Sequence, residues 1–240
     1  MEWTPPPLTI LIVTYDRPRE IRATIRALYE RAALLYPGTI HWHIADDGTG
    51  SGYVAGLLHE FPSLDISHTI TDRKGWGANV NKALQSITTD YIYLNEDDYV
   101  PIRDLDLARG VALLQAETDL GIIRYDGISG HTLNLELRES ATNLGTLNYC
   151  RISKRSPHLN VYSHRPHLKH RRLHDTVGLY KEGLALGATE EEFAHRIKDG
   201  EYRDKPPYIA ILPDGIIPCF DHIGHSRQGS ACDIFLKRRG

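Results

Sequence analysis

The chain has 240 residues, 41% hydrophobic and 25% charged, with a formal net charge of −3. That is enough to bury a core without staples, in one globular domain or one domain with a small appended lobe. The whole-molecule charge argues against a general polyanion binder, and three sparse, irregularly spaced cysteines (Cys150, Cys219, Cys232) form neither a disulfide framework nor a zinc spacing.

Residues 1–7 carry an acid and three prolines instead of a basic region before an apolar run, so no signal peptide is expected. No apolar run reaches membrane-spanning length. Reduced thiols and a cytoplasmic location are the expectation.

A β-rich apolar run over residues 8–13 ends in Thr14-Tyr15-Asp16-Arg17-Pro18. Ile21, Ile25, Leu28, Ala32 and Leu35 then recur at helical spacing, and Pro37-Gly38 stops them. A second strand over residues 39–45 ends in Asp46-Asp47-Gly48. A short helix over 53–61, a strand over 66–70 and a helix over 76–87 follow, the last with Val80, Ala83, Leu84 and Ile87 inward. A fourth strand over 90–94 runs into Glu96-Asp97-Asp98. A helix over 105–117 and a strand over 120–125 complete the regular part.

Beyond it, residues 147–153 read as a strand. Residues 157–174 are basic and lack periodicity. Residues 176–198 read as two helical pieces broken near 183–187, and 208–212 and 216–220 read as strands. Strands alternating with helices predict an α/β fold with a mostly parallel sheet covered on both faces. Ligands bind outside the carboxyl ends of such strands. The three polar clusters fall at those ends, so they are expected to converge on one crevice. Carboxylates at a strand end suit a hard divalent cation, and Asp98 is the first choice for direct contact. Glu96 or Asp97 would reach ribose or metal-bound water.

Four segments, in this order, resemble the nucleotide-binding half of the GT-A fold, in particular family 2 glycosyltransferases. They are residues 9–18 (TILIVTYDRP), 44–49 (IADDGT), 72–84 (DRKGWGANVNKAL) and 94–98 (LNEDD). The resemblance covers roughly the first 100 residues and implies a single GT-A-like domain. Residues 1–125 would bind a nucleotide sugar and residues 126–240 would build the acceptor side. It also implies a divalent cation, Mn2+ or Mg2+, a donor that is a nucleoside diphosphate sugar such as a UDP-sugar, and inversion at the sugar. Thr14, Tyr15 and Asp16 would cradle base and ribose. Asp46, with Asp47 beside it, would hold uracil or ribose. Arg73, Gly75, Trp76 and Gly77 would border the diphosphate, with Asn79 or Asn81 in support. One departure stands out: Asn95 occupies a position where many members carry Asp, and the acidic triplet is shifted by one. The metal-binding carboxylate is thereby left open.

In the second half, residues 177–183 resemble the turn that closes over the acceptor, and residues 189–196 the acidic helix start that follows it. The family places a catalytic base there, pointing to Glu190, then Glu191, with Asp175 as a third candidate. A late histidine returns to the metal in some GT-A enzymes. His225 is preferred over His222 for its polar neighbours, and imidazole suits manganese beside carboxylates.

Residues 140–174 contain no acid but carry Arg151, Lys154, Arg155, Arg165, Lys169, Arg171 and Arg172, with His158, His164, His167, His170 and His174. Such a tract is expected to meet an anion. The donor diphosphate, a lipid-linked phosphate at a membrane surface and the backbone of modified DNA are the three readings, beside a saccharide acceptor. A nucleotidyltransferase is disfavoured, because no Gly-rich basic loop follows the first strand. A non-catalytic module binding nucleic acid or an anionic surface remains as the rival.

Overall fold

The computed structural model describes residues 3–125, 133–157, 161–213 and 219–224. Its first half alternates as the periodicity predicts: β1 (Leu8–Thr14), α1 (Glu20–Arg31), β2 (Ile40–Asp46), α2 (Tyr53–Glu60), β3 (Ile66–Ile70), α3 (Trp76–Ser86) and β4 (Tyr91–Glu96). β1 is buried along its whole length, as a central strand covered on both faces must be. Its side chains alternate between two cores. Leu8, Ile10 and Ile12 meet Ile21, Ile25 and Leu28 of α1 on one face, while Leu11 and Val13 meet Val80, Ala83 and Leu84 of α3 on the other.

The strands order β3-β2-β1-β4, all parallel. The chain moves outward from β1 through β2 to β3, then returns to lay β4 on the other side of β1. The carboxyl ends of β1 and β4 therefore flank the switch in strand order, where a parallel sheet leaves a crevice.

After β4 come β5 (Tyr99–Pro101), α4 (Leu107–Ala116), β6 (Leu120–Arg124), β7 (Leu135–Thr142), β8 (Gly145–Ile152), β9 (His167–His170), α5 (Arg172–Val177), α6 (Leu186–Lys198), β10 (Tyr208–Ile211) and β11 (Phe220–His222). The main sheet grows to nine strands, β3-β2-β1-β4-β9-β6-β10-β8-β7, and β5 pairs with β11 in a separate two-stranded ribbon. Seven of the nine strands (β1–β4, β6, β7 and β10) share one direction, and β9 and β8 run against their neighbours. The break between the two helical pieces is wider than expected, from α5 to α6. The strand expected over 216–220 falls largely outside the described residues; its last residue opens β11.

Two strands of the main sheet were not legible in the sequence. β7 forms a hairpin with β8 at the sheet edge. β9 lies within the basic tract and slots antiparallel between β4 and β6, placing Leu168 opposite Tyr93 and Ile123. Only Leu168 is an ordinary core residue there; His167 and Lys169 are also fully buried.

Much of the tract's charge is therefore engaged within the fold. Arg172 Nη2 donates to the carbonyls of Leu114 at 2.5 Å and Leu120 at 2.9 Å, closing the carboxyl end of α4. Arg171 donates to the carbonyls of Ile87 and Thr89. Lys154 donates to those of Tyr202 and Lys205 at 2.5 and 2.7 Å. Arg151 pairs with Glu136 and Asp119, and Arg155 with Asp204. Remote carbonyls and carboxylates absorb charge that looks unopposed along the chain. Among the described residues no helix is long and apolar enough to cross a membrane.

Lys169 has no carboxylate partner among the described residues. Its ammonium donates to the Tyr180 hydroxyl at 3.3 Å and lies 5.3 Å from that ring's centre. Burial pulls its pKa from 10.5 down to about 7. The unfolded chain then holds more protons than the fold between about pH 7 and 10.5, so this group makes stability rise with pH across that window. Lys169→Met is expected to be more stable than wild type by a few kcal/mol at pH 6, with the gap shrinking toward pH 10. Urea midpoints of both proteins across this pH range check it; a constant gap would rule out the titration.

Candidate functional site

A cleft of about 720 Å³ opens at the carboxyl ends of β1, β2 and β4. Thr14, Tyr15 and Arg17 enter it from β1, Asp47 from β2, and Glu96, Asp97 and Asp98 from β4. Glu190 of α6 and His164 face them, and His222 and Gly224 close one side.

The triplet is held by a dense network. Asp97 Oδ2 accepts the Thr14 hydroxyl at 2.7 Å and the Tyr15 backbone N–H at 3.3 Å, and Thr24 of α1 donates to the Asp97 carbonyl at 2.7 Å. Arg17 Nη1 donates to Asp97 Oδ1 at 3.1 Å and also to Asp98 Oδ2. His222 Nε2 lies 3.0 Å from that same Asp98 oxygen. The β5–β11 ribbon makes this last contact possible. Tyr99 and His222 pair across it and stack with ring centres 4.7 Å apart, while Ile223 donates its N–H to the Asp98 carbonyl at 2.9 Å. Any side chain at position 224 would collide with the Asp98 carboxylate, so the backbone approaches there only because the residue is glycine.

Charge sorts the three acids. Burial, with the charges of Asp98, Asp97 and Glu190, pushes Glu96 up to about 8. Burial also lifts Asp97 to about 6, against the Thr14 hydrogen bond and the Arg17 charge. Burial acts on Asp98 the same way, but the His222 hydrogen bond and the Arg17 charge outweigh it, and its pKa falls. Asp98 is therefore the most firmly ionised of the three.

One oxygen of this carboxylate, Asp98 Oδ1, is buried with no hydrogen-bond partner among the described residues. A buried anionic oxygen left bare is costly, and a hard cation would satisfy it. Asp98 and His222 together offer a carboxylate and an imidazole that suit Mn2+. Among the described residues, no three His, Cys, Asp or Glu side chains form a ready cage.

The second acidic strand end is spent locally. Asp46 accepts from the Thr49 backbone N–H at 3.0 Å and from its hydroxyl. Asp47 accepts from Thr71 at 2.6 Å and from the N–H groups of Lys74 and Gly75 at 2.9 and 3.0 Å, which fixes the loop into α3. Arg73 stacks over the Tyr15 ring at 4.8 Å. Asn79 donates to the Ala45 carbonyl at 2.9 Å. Gly77 packs so closely on the Lys181 carbonyl that a Cβ would sit 2.7 Å from it.

The expected residues separate into two groups. Thr14, Tyr15, Asp47, Trp76, Glu96, Asp97, Asp98, Glu190 and His222 share the cleft. Asn81 does not line it; the amide bonds Tyr180 and Glu182 instead, fastening the second half to α3. Glu191 is exposed, and Asp175 borders a separate 190 Å³ hollow with Arg171 and His174. Asp16, Asp46, Arg73 and Gly75 are not among the residues that line the cleft. His225 lies outside the described residues. The sequence reading gave no role to Arg17, although it sits in the quoted first motif, and it counted His164 and Arg165 only as charge.

The glycosyl transferase family 2 profile matches residues 9–178. Among curated proteins, none matches the chain by sequence. Solved structures share its fold. A mannosyltransferase, PcManGT from Pyrobaculum calidifontis in complex with GDP-Man and Mn2+, superposes with a TM-score of 0.62 at 15% identity, over 94% of this chain and 59% of its own. S. aureus TarS 1-349 in complex with UDP-GlcNAc superposes with a TM-score of 0.62 at 14% identity, over 96% of this chain and 63% of its own. Without that ligand, TarS 1-349 gives 0.60 at 15% identity, over 86% and 58%. This chain thus spans about three fifths of the length of the structures it matches.

Arg17 is the cation that the described structure sets against Asp97 and Asp98 at once. Arg17→Ala is expected to lower stability by about 1–3 kcal/mol in the presence of chelator, because two buried carboxylates lose their countercharge. Mn2+ should restore more of the melting temperature to this variant than it adds to wild type. Equal shifts in both proteins would refute the competition between guanidinium and metal.

Proposed function

This chain belongs to glycosyl transferase family 2, and we propose that it transfers a sugar from a nucleoside diphosphate sugar to an acceptor hydroxyl, with inversion and with a divalent cation. The observation that carries the proposal is the cleft itself: a firmly ionised Asp98 with one bare oxygen on one wall, and a lone accessible carboxylate, Glu190, on the other. This is the separation of roles the reaction needs. One end must accommodate a leaving diphosphate and the other must take a proton.

In this reading Thr14, Tyr15 and Asp47 border the nucleoside, and the Tyr15 ring with Arg73 stacked on it flanks the base. UDP is the favoured nucleotide. Asp98 and His222 would hold Mn2+ or Mg2+, and the cation would offset the charge that builds on the departing diphosphate. Arg17, released from Asp98 by the metal, would turn its guanidinium to the same phosphates.

Glu190 would act as general base. Its carboxylate accepts the acceptor's hydroxyl proton as that oxygen attacks the anomeric carbon and the bond to the diphosphate breaks on the opposite face. Its backbone partner helps to aim it: the His164 N–H donates to Glu190 Oε1 at 2.9 Å, leaving the other oxygen for substrate. Glu191 and Asp175 are weaker candidates, since neither lines the cleft. For the acceptor, the internal use of the basic tract removes the main support for a nucleic-acid or lipid-phosphate partner. Arg165 is the tract's cation in the cleft.

The reading is tested by thermal unfolding with UDP or GDP, with Mn2+ or with chelator. A ligand at 100 times its Kd should add about 2.7 kcal/mol. That stabilisation should vanish with chelator and in Asp98→Ala. Glu190→Gln should keep nucleotide-sugar binding while transfer falls by about 10²–10⁴. If no nucleoside diphosphate stabilises the protein in the presence of Mn2+, the assignment is wrong.

A further inference from the structure

His164 lines the cleft that also holds Asp98 and Glu190, the two carboxylates that would handle leaving group and acceptor. Its imidazole lies flat on the Trp76 indole, with ring centres 3.6 Å apart and planes at 11°. Trp76 in turn donates its indole N–H to Glu96 Oε1 at 3.1 Å. The His164 backbone N–H is the donor to Glu190. The edges of Tyr162 and Tyr180 close on the ring at 5.6 and 5.7 Å, nearly perpendicular to it. The ring is thus clamped in orientation by packing on several sides.

What the clamp does not supply is a hydrogen bond. Neither Nδ1 nor Nε2 of His164 has a partner among the described residues, although the residue is only 3% exposed. A buried polar group left bare costs about 1–3 kcal/mol, so a rigid ring with two bare nitrogens is a site prepared for a visitor. Burial, with the nearby charges of His167 and Lys169, keeps the ring neutral, so one nitrogen donates and the other accepts. A sugar hydroxyl, both donor and acceptor, is a natural match for either nitrogen.

The position says which molecule brings it. With the diphosphate at Asp98 and the acceptor oxygen at Glu190, the transferred sugar ring must lie in the cleft that His164 lines, beside the Glu190 carboxylate its N–H holds. We propose that His164 is a specificity-determining residue that hydrogen-bonds hydroxyls of the transferred sugar, held in register by its stack on Trp76. This rests on the glycosyltransferase reading above. It assigns to a neutral imidazole a recognition role that is separate from base catalysis by Glu190.

The test compares affinities for a nucleoside diphosphate and its sugar in the same protein. Titration calorimetry with Mn2+ would use UDP, UDP-glucose, UDP-galactose and UDP-GlcNAc, then GDP and GDP-mannose. Wild type should bind at least one sugar nucleotide more tightly than the matching nucleotide. His164→Phe keeps a flat ring on Trp76 but has no ring nitrogen; it should bind the bare nucleotide as wild type does and lose about tenfold or more of the added affinity for the sugar. His164→Gln, which keeps a donor and an acceptor, should retain part of it.

An unchanged ratio in His164→Phe overturns the proposal and means that the nitrogens serve the fold. So does a wild type that binds UDP or GDP with no added affinity for any of the sugars, although the glycosyltransferase reading would survive that result. If no nucleotide binds, both fall together. Should the Phe variant fail to fold, His164→Leu against His164→Gln gives the same readout: Leu must lose the ratio and Gln keep part of it, and equal ratios in both refute the idea.

Discussion

The structure depends on burying a run of carboxylates at the end of β4. Asp97 and Asp98 are 3% and 2% exposed and sit beside Glu96. Such a cluster is costly in a low-dielectric interior unless each charge meets a partner. Much of the surrounding architecture supplies those partners. β1 contributes the Thr14 hydroxyl and the Tyr15 N–H, the turn after it contributes Arg17 and the late ribbon contributes His222, while Thr24 of α1 and the Ile223 N–H hold the backbone carbonyls of Asp97 and Asp98. The strand order makes this possible, because β4 is laid against β1 where the chain reverses its progress across the sheet.

The compensation is deliberately incomplete in chemical terms. Asp98 keeps an oxygen without a partner, and His164 keeps two nitrogens in the same state. Both residues line the same cleft. A folded protein tolerates such groups where a ligand later satisfies them, so the polar deficit marks the site as clearly as the carboxylates do.

The two halves of the chain are joined through α3. Asn81 bonds the Tyr180 backbone and the Glu182 carboxylate, Gly77 admits the Lys181 carbonyl, and Trp76 carries His164. The element whose amino end borders the donor side therefore also sets where α6 presents Glu190.

The sequence by itself determined the alternating first half, the three polar strand ends and their family order, because these are local signals: fully apolar central strands, helical spacing in α1 and α3, and turn residues at strand ends. It also picked out Glu190 and the acidic triplet as groups that come to one cleft. Only the tertiary structure decided the rest. His222 reaches Asp98 because β11 pairs with β5 across more than a hundred residues, a contact no spacing rule encodes. The basic tract reads as unopposed charge along the chain, yet β9 carries part of it between β4 and β6, and carbonyls and acids from distant segments take up Arg151, Lys154, Arg171 and Arg172. Asn81 and Asp175 were plausible ligand groups by type, but helix orientation turned one inward to Tyr180 and the other away from the cleft. Periodicity reports which face of an element is buried; which remote partner meets that face is fixed only when the elements pack.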